Sequence, residues 1–405
     1  MAFIEKQKYP KNGNGDGEKP IKLLFYSTMF ALLKESFFLS EHKIFEIKKK
    51  TFSPFLFLTP RHIPEQIRAY IQTKSKYIYE TSFFLNTKNR NNNKDKNNNK
   101  DKRIVNLIWV CPTTIKKEIL TKNIQKIWMW FYILSCLESN YAREITIYFY
   151  WTPFHKILGH TSSILNESNV NTAFTYSCQV KGEIILYREE EWFKVLIHES
   201  FHAFCMDFSS ENVKKSHNCI LSLFPVKSKV NLYEAYTECW AEIWNIMFYS
   251  FFCLKSNVSL DFFISNCEKK RELETQWGFF QLTKVLKYMH SDLTYRDLIS
   301  SSSKKSKELR EKYYQEDSNI LSYYILKMVL MSHFSEFLKW SYLNNGSLFF
   351  CFNHSLKNKT QEKLCEFILM HYKKKFMLSC IDFWQDIHVK NTLIANTLRM
   401  TCVDS

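Results

Sequence analysis

One stretch decides the fold of this chain: Val195-Leu196-Ile197-His198-Glu199-Ser200-Phe201-His202-Ala203-Phe204. It is mostly apolar and contains neither Gly nor Pro, so the pattern predicts a helix. With about 3.6 residues per turn, His198 and His202 lie one turn apart on one face, where both imidazoles can bind one metal ion. Glu199 leaves the helix about 100° further round, which suits a base better than a ligand. Two neutral imidazoles with an open position for water are what catalytic zinc requires, and an adjacent carboxylate can serve as general base.

A second stretch, residues 231–244, carries three carboxylates at helical spacing. Glu234, Glu238 and Glu242 are four residues apart and therefore share one stripe of an otherwise aromatic and aliphatic helix. Their charges repel one another, and a nearby cation would remove that penalty. A solvated acidic face would carry interleaved Lys or Arg, yet the sequence has neither from Tyr233 to Phe252.

Together the two stretches resemble the gluzincin zinc metallopeptidases, the thermolysin-like clan. In that clan, His-Glu-x-x-His on one helix is followed by Glu-x-x-x-Asp/Glu on a later helix. The matching residues here are Tyr233-Glu234-Ala235-Tyr236-Thr237-Glu238. The resemblance covers roughly residues 145–250 and is strong at these two motifs. More weakly, the chain is similar to uncharacterised proteins of large DNA viruses that carry the same first motif.

The resemblance implies a peptidase that binds one Zn²⁺ per chain. Its ligands would be His198, His202 and Glu234, and its general base Glu199. Glu238 would accept a hydrogen bond from the far nitrogen of a ligand histidine, His198 being the expected one. The substrate would be a peptide or a protein.

The match to the clan departs from its usual pattern in two places. Tyr233 stands where Asn is usual, and Glu238 stands where Asp is commoner. The ligand could therefore be Glu238, with Glu242 behind it. We favour Glu234, because the small Ala235 that follows it permits a close approach to the histidine helix.

The metzincin alternative requires Gly at position 205 and His at position 208. The chain has Cys205 and Phe208 there, which excludes that family.

Peptide hydrolysis also needs a hydrogen-bond donor for the oxyanion. Six side chains are chemically suitable, although each alone is more typical of a core aromatic or a surface histidine, and the sequence does not choose among them: Tyr233, Tyr236, His217, Tyr323, Tyr324 and His333.

The predicted fold class is α+β, with a zincin-like small mixed sheet, an active-site helix and a mostly helical C-terminal lobe. Periodicity predicts strands over 76–85, 104–111 and 145–151, a helix over 113–137, and a hairpin from 172–176 and 183–187. Glu189, Glu190 and Glu191 would precede the metal-binding helix, where the macrodipole favours negative charge. Further helices are expected over 65–71, 232–254, 259–290, 305–315, 319–343, 360–378 and 382–398.

The domain prediction has three parts. Residues 1–20 form a polar leader expected to be disordered, 21–230 a sheet-plus-helix lobe, and 231–405 a helical lobe. Residues 86–103 contain a repeat of Asn, Lys and Asp without an apolar side chain, and are predicted to be a disordered insertion at a hairpin tip.

Composition limits the function classes and the location. The net charge is +16, of which residues 86–103 supply 7 − 2 = +5, and no nucleic-acid-binding motif accompanies it. The 12 cysteines include no CxxC pair, which suggests free thiols in a reducing, intracellular compartment. The apolar run Leu23–Leu33 is short for a membrane span, so no span and no secretion are expected. Two alternatives to the peptidase remain: a non-catalytic zincin-fold module that binds proteins, and a basic protein associated with nucleic acid.

Overall fold

The structure is a computed structural model that describes residues 2–10, 19–54, 62–86, 102–136, 139–159, 164–254, 259–299, 303–345 and 357–404. The strands are β1 Lys48–Thr51, β2 Tyr77–Asn86, β3 Lys102–Cys111, β4 Glu144–Tyr150, β5 Leu165–Asn166, β6 Ala173–Thr175, β7 Lys181–Leu186 and β8 Glu316–Asp317. The helices are α1 Ala2–Glu5, α2 Lys19–Glu41, α3 Glu65–Lys74, α4 Lys117–Ser135, α5 Glu167–Val170, α6 Trp192–Ala203, α7 Lys214–Leu223, α8 Leu232–Phe252, α9 Leu260–Met289, α10 Tyr295–Leu298, α11 Lys304–Tyr313, α12 Lys327–Ser332, α13 Phe334–Asn345, α14 Lys357–His371, α15 Lys375–Gln385 and α16 Thr392–Asn396. A π-helical segment, Leu321–Leu326, directly precedes α12.

The chain divides into two compact units, which we call the sheet unit and the helical unit. The sheet unit comprises Thr28–His155 and Thr172–Cys205, and the helical unit comprises Met1–Ser27, Lys156–Asn171 and Met206–Ser405. This division differs from the predicted boundary at residue 230. Residues 206–230 belong to the helical unit because α7 packs on α14, with a hydrogen bond of 3.2 Å from the Ser216 hydroxyl to Gln361 Oε1.

The sheet unit is built on a six-stranded mixed sheet in the order β1-β2-β3-β4-β7-β6. Strands β3, β4 and β7 are parallel, whereas β1, β2 and β6 each run antiparallel to a neighbour. The predicted strands and the β6–β7 hairpin are therefore confirmed, and β1 was missed because its four residues, KKKT, are all exposed.

Successive side chains of a strand point to opposite faces of the sheet, and at the centre of this sheet both faces are buried. On one face, Val105, Leu107 and Trp109 of β3 are fully buried, and the Trp109 ring stacks on Phe149 of β4 at 4.7 Å between centroids. The opposite face contributes to a second apolar cluster, which includes three isoleucines of the segment 63–71. A strand covered on both faces has to be apolar at successive positions, which is why 104–111 is readable as a strand.

The helical unit contains two long helices, α8 with 21 residues and α9 with 30 residues. Residues 397–403 run in non-helical conformation against α9: Glu274 accepts backbone hydrogen bonds from Cys402 and Val403, and Gln281 donates to Arg399 O. We call residues 397–403 the C-terminal strap. The helix predicted over 382–398 is wrong for this reason, since α15 ends at Gln385 and the strap begins after α16.

Two more predictions differ from the structure. The helix expected over 319–343 is divided at His333, whose φ of −118° and ψ of 45° end α12 before α13 begins. The leader expected to be disordered contains α1, where Ile4 is fully buried and the Phe3 ring lies 5.2 Å from that of Phe280. The insertion predicted over 86–103 falls mainly on residues 87–101, outside the described residues, while β2 and β3 cover its two ends.

Helix α2 was not predicted, and it bears on the question of a membrane. It is 23 residues long and, among the described residues, is the one helix long and apolar enough to cross a membrane by length and composition. The apolar run Leu23–Leu33 is thus part of a longer helix. Its most apolar window is 39% buried within the protein, and core helices of soluble proteins meet the same criterion.

The expectation that all cysteines are free thiols is wrong for one pair. Cys178 and Cys205 form a disulfide, 27 residues apart in sequence. A pairing that depends on where a loop meets the end of a helix has no local sequence signal. Nine other cysteines of the described residues are free.

Candidate metal centre

Helix α6 carries the first motif and is buried along almost its whole length. Every residue from Phe193 to Ala203 is buried, which agrees with the apolar stretch that predicted it. Two hydrogen bonds fix its middle: Trp130 Nε1 donates to the Ser200 hydroxyl at 3.2 Å, and that hydroxyl donates to Leu196 O at 2.7 Å. Glu191 occupies the position before the helix with a φ of 57°, but its side chain makes no capping hydrogen bond.

The two histidines face each other across one helical turn, as their spacing predicts. His198 Nε2 lies 3.2 Å from His202 Nε2, and the two residues are only 6% and 7% exposed. Glu199 is 7% exposed on the same helix. Two imidazoles can share a proton at this distance, and they can equally converge on a metal ion.

The C-terminal end of α6 is held at the second histidine. His202 O accepts hydrogen bonds from Cys178 N and from Cys205 N, both at 3.0 Å. Cys205 has a φ of 57°, a left-handed conformation common just beyond helix ends and unusual for a residue other than Gly. Its disulfide to Cys178 holds it there. Sequence reasoning missed this clamp.

A buried arginine supports the same helix end. Arg103 of β3 donates to Ala142 O at 2.8 Å and to the Ser135 hydroxyl at 3.1 Å, and its guanidinium lies 4.5 Å from the centre of the Phe204 ring. Burial lowers the pKa of this arginine to about 10, and the charge of Arg143 adds to that effect. Arg103 was counted only as part of the charged insertion, because its role depends on contacts more than 30 residues away.

Helix α8 carries the second motif in its first turn. One ligand atom each of His198, His202 and Glu234 lie within 4.8 Å of one another. This triad could bind a metal ion. The donor set of two imidazole nitrogens and one carboxylate oxygen is one that zinc accepts.

Glu234 is held by residues at the start of the π-helical segment. The Tyr323 hydroxyl donates to Glu234 Oε2 at 3.2 Å, and Asn319 Nδ2 lies 3.5 Å from that hydroxyl oxygen. Asn231, the residue before α8, donates from Nδ2 to Asn319 Oδ1 at 2.9 Å, and the Ser322 hydroxyl donates to Asn231 O at 2.8 Å. π-helical turns inside helices are frequent at functional sites.

The other two carboxylates of the stripe lie deeper in the helical unit. Glu238 and Glu242 are each 1% exposed, and Glu242 forms an ion pair with Lys327 of α12, itself 1% exposed. The cation that the stripe was expected to need is thus a lysine at Glu242. The hydrogen bond from His198 to Glu238 stays a prediction.

The six candidate oxyanion donors differ in the groups that they contact. The Tyr324 hydroxyl donates to Leu398 O, the Tyr236 hydroxyl accepts from Asn345, and the rings of His217 and His333 contact main-chain carbonyls: Val230 O and Val329 O. Burial raises the pKa of Tyr233, with the charges of Glu234 and Asp207 adding to the effect. The Tyr323 hydroxyl donates to Glu234 and so contacts the triad.

Comparison of the chain with protein-family models, with characterised proteins and with solved structures gave no match.

Proposed function

We propose that this protein is a zinc-dependent peptidase in which His198, His202 and Glu234 hold the ion and Glu199 is the general base. The observation that carries the proposal is the pair of buried histidine nitrogens 3.2 Å apart, with a carboxylate oxygen of Glu234 within 4.8 Å of both. Two ligands about 2.05 Å from a tetrahedral zinc ion stand about 3.3 Å apart. The histidines therefore have nearly the separation that zinc requires.

The architecture of the sheet unit adds support. A mixed sheet with parallel central strands, an antiparallel edge strand and a following helix with the His-Glu-x-x-His motif resembles the zincin fold, of gluzincin type. The antiparallel edge strand is β6, which joins β7 in the hairpin directly before α6. An edge strand leaves backbone groups that can pair with an extended peptide.

The reaction would divide its tasks among a few side chains. Bound zinc supplies Lewis acidity, which polarises a carbonyl group and acidifies water. Glu199 would accept the proton of the attacking water and deliver it to the leaving amine. The Tyr323 hydroxyl donates to Oε2 of Glu234, which would leave the other carboxylate oxygen available to hold the ion. Glu238 would orient His198.

The decisive experiment compares metal content with hydrolysis in two variants. In Glu199→Gln, one zinc per chain should remain while cleavage of a labelled protein substrate such as casein falls by about 10² to 10⁴, the usual value of general-base catalysis. In His202→Ala, zinc should be lost while the circular dichroism spectrum stays that of a folded chain. Equal activity of wild type and Glu199→Gln would assign any hydrolysis to a contaminant.

Other outcomes of this experiment correspond to the alternative functions. Zinc bound without hydrolysis of any peptide library would favour a non-catalytic zincin-fold module that binds proteins. Binding of nucleic acid that disappears when residues 86–103 are deleted would favour the basic nucleic-acid-associated protein. A full complement of zinc in His202→Ala would remove the site from α6.

A further inference from the structure

Helices α7 and α14 of the helical unit pack with their side chains in register. Lys215 Nζ lies 2.8 Å from Glu362 Oε1, and the Ser216 hydroxyl donates to Gln361 Oε1 at 3.2 Å. One turn further along both helices come Cys219 and Cys365. The Cys365 thiol points back across the same interface, 4.0 Å from Ser216 O.

The two thiols influence each other's pKa, and they differ in their surroundings. The hydrogen bond from Cys365 lowers the pKa of Cys219 to about 7, against the opposing effect of burial. The same contact and burial raise the pKa of Cys365. Cys219 is partly exposed, whereas Cys365 is 4% exposed. One thiol is thus accessible and ionised near neutral pH, and the other is a protected proton donor beside it.

We propose that Cys219 and Cys365 are a redox-active dithiol, which a small-molecule disulfide converts to a second intramolecular disulfide joining α7 to α14. The inference does not depend on the metal centre or on the proposed peptidase. An attacking thiol whose pKa is near the ambient pH reacts fastest with disulfides, and a neighbouring thiol resolves the mixed disulfide that forms.

The chemistry balances with that single co-reactant. The Cys219 thiolate attacks one sulfur of the small-molecule disulfide, forms a mixed disulfide and releases one small thiolate. Cys365 then loses its proton and attacks the sulfur of Cys219, which releases the second small thiolate. The two protein thiols lose two electrons in total, and the small disulfide gains them as two thiols.

The product would restrain a part of the helical unit that ends next to α8. Cys219 and Cys365 are 146 residues apart in sequence, so the bond would close a long loop, the kind of cross-link that constrains an unfolded chain most. His217, in the first turn of α7, contacts Val230 O at 3.3 Å, just before α8 begins. Oxidation would therefore stiffen the approach to that helix.

The test uses the full chain and glutathione disulfide as the probe. After incubation at neutral pH, remaining thiols are blocked with N-ethylmaleimide and the peptides are mapped by mass spectrometry. The expected product is a Cys219–Cys365 linked peptide without glutathione on Cys219. In Cys365→Ser, glutathione should instead remain on Cys219. Cys253→Ser, which removes an exposed thiol elsewhere on the helical unit, should leave the linked peptide unchanged.

A second readout begins with the wild-type protein, whose folding no substitution disturbs. The rate at which wild-type Cys219 is alkylated should rise with pH with a midpoint near 7, and Cys365→Ala should lower the rate at pH 7 by about tenfold. Accumulation of glutathione on wild-type Cys219 with Cys365 still free would overturn the proposal. So would modification of Cys253 without any linked peptide.

Discussion

Helix α8 carries carboxylates in its first turn and near its middle, and the protein treats the two positions differently. Near the middle, Glu242 and its partner Lys327 are each 1% exposed and form an ion pair. In the first turn, Glu234 is 9% exposed and accepts a hydrogen bond from the neutral Tyr323 hydroxyl, next to two imidazoles. A positively charged side chain compensates one carboxylate, and a neutral donor orients the other. One stripe of a helix thus divides into a structural half and a half suited to binding a cation.

The largest expected effect concerns the structural half. Lys327→Met removes the charge at nearly constant volume and leaves Glu242 buried without its cation, so the free energy of unfolding should fall by about 3–5 kcal/mol. Urea denaturation would measure this loss. The zinc content of the folded fraction should stay at one per chain.

A matched control tests whether burial is the cause. Lys181 and Glu144 form a surface ion pair at 3.1 Å, with side chains 82% and 42% exposed. Lys181→Met should therefore cost no more than about 1 kcal/mol. A loss of similar size in both variants would contradict the distinction between the two halves of α8.

The next effect is that the free energy of unfolding should depend on pH through Glu316. Glu316 accepts hydrogen bonds from Leu321 N at 2.8 Å and from the Ser228 hydroxyl, and so joins the segment before α8 to the π-helical segment. Desolvation raises its pKa to about 7. A carboxyl group whose pKa is raised on folding contributes stability at low pH, and that contribution is lost as the pH rises from about 4.5 to about 7.

Glu316→Gln should remove this dependence. Relative to wild type, the variant should gain stability between pH 5 and pH 8, by at most about 3 kcal/mol because the residue is only partly buried. Thermal melts at both pH values would measure the gain. Glu311→Gln, on the exposed surface of α11, should show no such gain. A constant difference across this range would contradict the raised pKa.

The smallest expected effect tests whether the neutral Tyr323 hydroxyl positions Glu234. Tyr323→Phe removes the hydroxyl that holds Glu234, so zinc affinity should fall by about 10- to 100-fold, the usual cost of losing an outer partner of a ligand. Competition with a chelator would measure the affinity.

The neighbouring tyrosine provides the control. The Tyr324 hydroxyl donates to Leu398 O at 2.7 Å in the C-terminal strap. Tyr324→Phe should therefore lower stability by about 1 kcal/mol and leave zinc affinity unchanged. Equal zinc affinities in wild type and Tyr323→Phe would remove Tyr323 from the site.

Patterns within short stretches of the sequence predicted those structural features that depend on residues close together along the chain. The i, i+4 spacing of His198 and His202 predicted that the two side chains share one face of a helix. The apolar run 104–111 predicted a strand, and both faces of that strand are covered in the structure. The positions of the strands and the helix-rich remainder followed from such patterns. The resemblance to the gluzincins implied that Glu234 joins His198 and His202, and one ligand atom of each of the three residues lies within 4.8 Å of the others.

What the sequence did not reveal depends on residues far apart along the chain. Lys327 is 85 residues from Glu242, and Arg103 is more than 30 from the carbonyls that it binds. The disulfide depends on Cys205 adopting a left-handed backbone beside the loop of Cys178. The C-terminal strap has the apolar composition of a helix, but its backbone groups bond to α9 instead. No periodicity encodes such partners.

The C-terminal strap has a consequence for biosynthesis. Helix α9 bonds to residues 399–403, and Asn245 of α8 donates to Val403 O at 2.8 Å, so neither helix has its full set of neighbours until residue 403 has been made. The last residue of the sheet unit is Cys205. At about 5–20 residues per second, translation needs about 10–40 s to go from there to the strap. The pair of histidines can therefore form while the ribosome is still synthesising the partners of α8.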